Sequence, residues 1–252
     1  MQPIDLAVIG GTGLYRLAGL ESPQEAALPT PFGHASAPAR VGTLCGKRVA
    51  FLARHGEAHS VAPHRINYRA NLHMLHALGA RRVLALNTVG GITPRFAPRA
   101  LGVPEQIIDY TWGRESTFCD APGAAVQHAE FAEPYDAAMR AALLRAGAEA
   151  GVELVGGGCY AATQGPRLET RAEIARLRRD GCDVVGMTGM PEAALARELG
   201  LAYASLVIVA NWAAGCDPAG RDAPLITMGE VLGNVEAASG QLPPLIEALL
   251  QA

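Results

Sequence analysis

Short apolar runs alternate along this chain with longer stretches whose apolar residues recur every three or four positions, and glycine-rich or polar punctuation separates them. Residues 4–9 read as a buried strand closed by Gly10-Gly11-Thr12-Gly13. Residues 49–53 form a second strand ending at Arg54-His55-Gly56, and residues 82–86 a third that runs into Asn87-Thr88-Val89-Gly90-Gly91. Further strands are expected at 106–109, 153–162, 184–187 and 203–210. Helical spacing covers 68–78, 135–150 (opened by Pro134 and stopped at Gly151), 170–179, 192–198 behind Pro191, and 227–250. Pro243-Pro244 should break or re-aim that last segment. Residues 111–133 carry glycine, proline and aromatics without a period and read as a long loop. Strands alternating with helices predict an α/β fold, with a central, mostly parallel mixed sheet flanked by helices on both faces. With no internal repeat, low-complexity stretch or linker, residues 1–252 are read as a single domain.

Composition narrows the classes. A chain of 252 residues, 50% hydrophobic and 18% charged, has the make-up of a packed α/β protein. A formal net charge of −3 supplies no basic field, which argues against nucleic-acid and membrane-surface partners but leaves small anions open. The cysteines, Cys45, Cys119, Cys159, Cys182 and Cys216, are odd in number and form no C-x-x-C, as expected of reduced thiols in a cytoplasm. The N-terminus enters a strand without a basic leader, and no apolar run reaches the roughly 20 residues of a membrane span. A soluble cytoplasmic protein is expected.

Function in such a sheet collects beyond the carboxyl ends of the strands, and several polar clusters lie there together. The Gly10–Gly13 turn with Thr12 could cradle an anion or simply turn the chain. It matches neither G-x-G-x-x-G nor a Walker A. Arg54, directly after an apolar strand, offers a planar fork suited to phosphate; its alternative is a surface ion pair. His55, His59 and His64 lack the spacing and companion ligands of a metal centre, so His55 on phosphate with His59 lining the sugar or phosphate region is preferred. Thr88 adds a hydroxyl before Val89-Gly90-Gly91, and Met187-Thr188 ends another strand, where a methionine packs under a sugar or fills the core. Residues alone lead to an α/β enzyme that binds a small anion beside a polar, partly apolar ligand.

Five segments, Ile9-Gly10-Gly11-Thr12-Gly13, Ala53-Arg54-His55-Gly56, Asn67-Tyr68-Arg69-Ala70-Asn71, Gly165-Pro166-Arg167-Leu168-Glu169-Thr170 and Met187-Thr188-Gly189-Met190-Pro191-Glu192, occur in order from Ile9 to about Leu232. Together they resemble the purine nucleoside and methylthioadenosine phosphorylase family. The resemblance implies a homotrimer, no cofactor, and inorganic phosphate as co-substrate. It implies that Thr12, Arg54, His55, Thr88, Val89 (through its backbone) and Thr188 hold phosphate. Met187 would lie against the ribose, with Asn211, Trp212 and Ala213 bordering the base, and Leu168 would be a further substrate-binding residue. His128 would reach the 5′ site of a neighbouring subunit. The implied reaction is attack of phosphate on C1′ as the bond to purine N9 breaks, assisted by positioning and electrostatics.

Two positions discriminate bases in that family. The adenine-directed branch has Asp-x-Asp where this chain has Asn211-Trp212-Ala213, and a small hydroxyl residue in place of Glu169. Hypoxanthine offers N1–H to a carboxylate and O6 to an amide, whereas adenine would face Glu169 acceptor to acceptor. That mismatch costs on the order of 1–3 kcal/mol. At the 5′ end, Met228 stands where the ordinary purine enzymes carry a histidine for the 5′-hydroxyl, with Val231 one helical turn on. A 6-oxopurine site joined to an apolar 5′ site describes 5′-methylthioinosine. Competing readings are a broader inosine and guanosine phosphorylase, a methylthioadenosine phosphorylase, and a non-catalytic purine-binding protein on the same fold. A dehydrogenase rests on the N-terminal glycines alone.

Overall fold

The structure, a computed structural model, describes residues 2–120, 122–123, 125–218 and 226–252. In chain order its strands are β1 (Leu6–Gly10), β2 (Glu21–Ala26), β3 (Ala39–Leu44), β4 (Lys47–Ala53), β5 (Arg82–Gly91), β6 (Leu101–Val103), β7 (Gln106–Asp109), β8 (Leu154–Gly156), β9 (Cys159–Ala162), β10 (Val184–Gly186) and β11 (Ala202–Trp212). The helices are α1 (Tyr68–Ala77), α2 (Ala137–Ala150), α3 (Arg171–Arg179), α4 (Glu192–Glu198), α5 (Met228–Ser239) and α6 (Leu242–Gln251).

All strands join one mixed sheet whose main path runs β2-β3-β4-β1-β5-β10-β9-β7, while β11, β6 and β8 branch from β5. The deepest strands, β1, β5 and β11, are the ones with continuous apolar runs, as expected for strands covered on both faces. Helices α1 and α4 pack together on the sheet; α2 packs with α6 and lies against β11, as does α5. None of the described helices is long and apolar enough to cross a membrane.

The expected α/β class holds, and the differences have local causes. Strands β2, β3 and β6 lie outside every segment expected to be extended. β2 (Glu-Ser-Pro-Gln-Glu-Ala) is exposed along its length and pairs only with β3, so it has no buried face to impose an alternating pattern. The segment 153–162 is two strands, β8 and β9, because Gly157 and Gly158 take φ of 78° and 100° and turn the chain between them. The last helical stretch is broken at Gly240-Gln241, and Pro243 and Pro244 fall in the first turn of α6, where a missing N–H does no harm.

Two irregularities open the sheet where chemistry is expected. β5 pairs parallel with β1 only over Val83–Ala85, and antiparallel with β10 only at Gly90 and Gly91. Between these pairings lie Asn87, Thr88 and Val89. On the other side β11 follows β5 in register to Val209↔Val89, then slips, so that Asn211 faces Gly90 and Ala210 is the extra residue of a bulge.

Candidate active site

A cavity of about 470 Å³ opens at that gap. Most of the residues singled out in the sequence converge on it: Thr12 from the turn after β1, His55 and His59 after β4, Thr88 and Val89 from β5, and Met187 and Thr188 after β10. Glu169 and Leu168 come from the loop before α3, Asn211 and Ala213 from the end of β11, and Met228 and Val231 from the first turns of α5. Trp212 faces a small satellite cluster with Ile174, Leu177 and Val185, as alternation along β11 requires. His128 is exposed and His64 lies outside the lining.

The floor is backbone. A Cβ on Gly11 would stand 2.8 Å from Leu86 O and 3.3 Å from Arg54 Nη1, and one on Gly186 would collide with the Tyr160 hydroxyl. Thr88 Oγ1 donates to Thr12 O at 3.0 Å and ties the two sides of the floor together. Arg54 lies behind it rather than in it. The Arg54 side chain is fully buried; Nε and Nη2 donate to the two Glu192 carboxylate oxygens at 2.7 and 2.8 Å, and Nη1 donates to Leu86 O. Burial opposes its charge, and the Glu192 carboxylate more than offsets that, so the guanidinium stays protonated. Tyr203 donates a further hydrogen bond to Glu192 at 2.9 Å. The Nε and Nη2 fork of the guanidinium is thus engaged by Glu192, in an ion pair that is buried rather than superficial, and Nη1 and Nη2 each keep a second hydrogen.

His55 is mostly buried, and desolvation pulls its pKa down to about 4, helped by the charges of Arg54 and His59 and opposed by a bond to Val61 O. Nδ1 lies 2.9 Å from that carbonyl, which can only accept. The neutral ring therefore carries its proton on Nδ1 and keeps Nε2 as an acceptor. His59 leans on it with ring centroids 4.6 Å apart.

At the opposite end, Thr163 donates to Glu169 Oε1 at 2.6 Å, and burial raises the Glu169 pKa above the ordinary carboxylate value. Asn211 is 9% exposed and gives one amide hydrogen to Trp212 O, leaving a second N–H and the side-chain carbonyl. Gly165 at φ 61° passes so close to Met187 that a Cβ would overlap its sulfur; only glycine fits there. Met228, 61% exposed, and Val231 form an apolar rim.

Arg114 was missed. It lies in the stretch read as an aperiodic loop, yet its guanidinium donates to the carbonyls of Thr163, Gln164, Met187 and Met190 at 2.6–3.2 Å. It thereby staples the Glu169 loop to the Met187 loop. Its only sequence signal is a lone arginine in a polar loop, which is no signal. Ser60, Val61, Ala62 and Pro63 also line the cavity, as a continuation of the His55 turn.

Known proteins resemble this chain in sequence and in fold. Residues 5–251 match the model of the phosphorylase superfamily. The chain is 64% identical to a probable S-methyl-5′-thioinosine phosphorylase of Xanthomonas campestris pv. campestris, over 98% of this chain and 97% of that one. It is 41% identical to a 6-oxopurine nucleoside phosphorylase of Pyrococcus furiosus, over 97% and 91%. Among solved structures, methylthioadenosine phosphorylase from Schistosoma mansoni in complex with adenine superposes with a TM-score of 0.90 at 29% identity, covering 98% of this chain and 91% of that one. The chain belongs to the phosphorylase superfamily and is a nucleoside phosphorylase.

Proposed function

We propose that this chain, working as one domain, cleaves S-methyl-5′-thioinosine with phosphate to give hypoxanthine and 5-methylthioribose 1-phosphate, a purine-salvage reaction. The observation that carries the reading is the meeting, in one cavity, of Glu169 and Asn211 at one end with Met228 and Val231 at the rim and a hydroxyl-lined backbone floor between them. Hydrogenphosphate sits on that floor, held by Thr12, Thr188, the Val89 backbone and Thr88, whose hydroxyl turns from Thr12 O to the anion, and gives its P–O–H to the free Nε2 of His55. Arg54 acts through the floor, as a buried cation behind Gly11. A phosphate oxygen forms the bond to C1′ while the electron pair of the C1′–N9 bond leaves with the purine. Glu169 accepts N1–H; the free amide N–H of Asn211 reaches O6 and its carbonyl meets N7 as the leaving purine takes up a proton there from solvent water. Leu168 and Ala213 border the base, Met187 supports the ribose, and His59 covers the sugar and phosphate.

The name of the 64% identical relative supports the choice of nucleoside. The reading includes a cytoplasmic homotrimer in which His128 reaches the 5′ site of a neighbouring copy. Comparing kcat/KM for methylthioinosine, inosine and methylthioadenosine, each with and without phosphate, tests it. Cleavage should require phosphate and fall in that order, and Asn211→Asp should move preference toward the 6-aminopurine. A tenfold or greater preference of the native enzyme for methylthioadenosine would overturn the Glu169 and Asn211 assignment.

A further inference from the structure

Behind Thr188 a line of buried polar groups runs from the sheet core to the cavity. Ser205 on β11 is 2% exposed, Asn87 on β5 fully buried, and Thr188 6% exposed. Ser205 Oγ donates to Asn87 Oδ1 at 2.8 Å, and Asn87 Nδ2 donates to Thr188 Oγ1 at 2.9 Å. A hydroxyl has one hydrogen to give and lone pairs to receive. Because Asn87 fills an acceptor site on Thr188, the Thr188 hydrogen has to point elsewhere: the Tyr160 hydroxyl, which already receives the Thr188 N–H at 3.4 Å, is within its reach, and an anion in the cavity that Thr188 lines is the stronger acceptor.

The opposite amide orientation would reverse this. Asn87 Oδ1 would then face Thr188 and take its hydrogen, presenting bare lone pairs to the cavity. Asn87 Nδ2 would donate to Ser205, whose own hydrogen would have no other acceptor among the described residues in a place where an unmet donor is costly. The geometry points to Asn87, with Ser205 behind it, as a positioning residue that sets the direction of the Thr188 hydroxyl, so that it donates to the anionic co-substrate. The assignment rests on phosphate occupying the floor of this cavity. Neither residue touches the reacting atoms; Ser205 aligns the amide, and the amide aligns the hydroxyl. The line crosses three segments far apart in sequence, so no motif announces it.

The test is a double-mutant cycle on steady-state kinetics, with KM for phosphate and for nucleoside measured separately. Thr188→Val should raise the phosphate KM by about 10-fold or more, in line with loss of a charge-assisted hydrogen bond. Ser205→Ala should raise it roughly 3- to 10-fold while moving the nucleoside KM less than about twofold. Combined with Thr188→Val, Ser205→Ala should add almost nothing, since the group it directs is gone. The isosteric Asn87→Asp should impair phosphate use more than Asn87→Ala at neutral pH, because a carboxylate accepts the Thr188 hydrogen. A purely structural role predicts the reverse order, with the larger truncation worse. Equal effects of Ser205→Ala with and without Thr188→Val would overturn the positioning role. No effect of Thr188→Val on the phosphate KM would instead overturn the placement of phosphate, and the inference with it.

Discussion

Burial holds the His55 ring neutral, and the neighbouring Arg54 cation and His59 push the same way. The neutral ring is what an acceptor for P–O–H requires, and it has a consequence for stability. The folded state takes up the His55 proton only near pH 4, whereas an unfolded chain does so near 6.5. Between those values the unfolded state holds more protons, so stability is intact above pH 6.5 and is lost as pH falls toward 4, by about 3 kcal/mol from this group. Urea denaturation at pH 7.5 and pH 5 should show about 2 kcal/mol of that loss in the native protein and a smaller one in His55→Gln. Equal pH dependence in the two proteins would mean that the ring is not held neutral by the fold. Glu169 and Asn211 illustrate the complementary case: each has one group satisfied by the protein, Thr163 and Trp212 O respectively, and each keeps an unused group for the base.

Elements differ in how they announce themselves. β5 and β11 were legible because strands buried on both faces must be apolar throughout, and a polar residue at their ends stands out. β2 was not, since an exposed edge strand carries no hydrophobic period. The loop holding Arg114 was legible only as a loop; its role depends on carbonyls from segments some fifty and seventy residues away. The bulge at Ala210 was hidden too, because register is a property of two strands and not of either sequence. α5 belongs to the legible group, and Thr227 caps it by accepting from the Glu230 N–H, which fixes where Met228 enters the rim. Met228→His should restore a polar partner at the 5′ end. The ratio of kcat/KM for inosine over methylthioinosine should rise by about 10-fold, roughly one good hydrogen bond; an unchanged ratio would show that Met228 does not face the 5′ group.

At the scale of the molecule, the pair of Arg54 and Glu192 joins the end of β4 to the start of α4 through the middle of the sheet. The sequence made both residues visible, in Arg54-His55-Gly56 and Met190-Pro191-Glu192, but not that each is the other's partner across 138 positions. Removing one charge strands the other in the core. Glu192→Gln should destabilise the fold by about 3–5 kcal/mol in chemical denaturation, while replacing both residues with apolar ones of similar volume should cost much less. A loss below about 1 kcal/mol for the single substitution would contradict the burial of the pair.

The backbone floor divides the site into parts that can and cannot drift. At Gly11 and Gly186 any side chain would strike a carbonyl or a buried hydroxyl, so a point substitution there breaks the surface before it can retune it. Beyond the floor the cavity is walled by side chains, Glu169 and Asn211 at one end and Met228 and Val231 at the rim, where a substitution replaces a side chain rather than the backbone surface. Successive single mutations can therefore carry this scaffold from one nucleoside to another while the reaction itself stays the same. A saturation library selected for growth on alternative nucleosides would accumulate its tolerated changes at that rim and leave the floor blank.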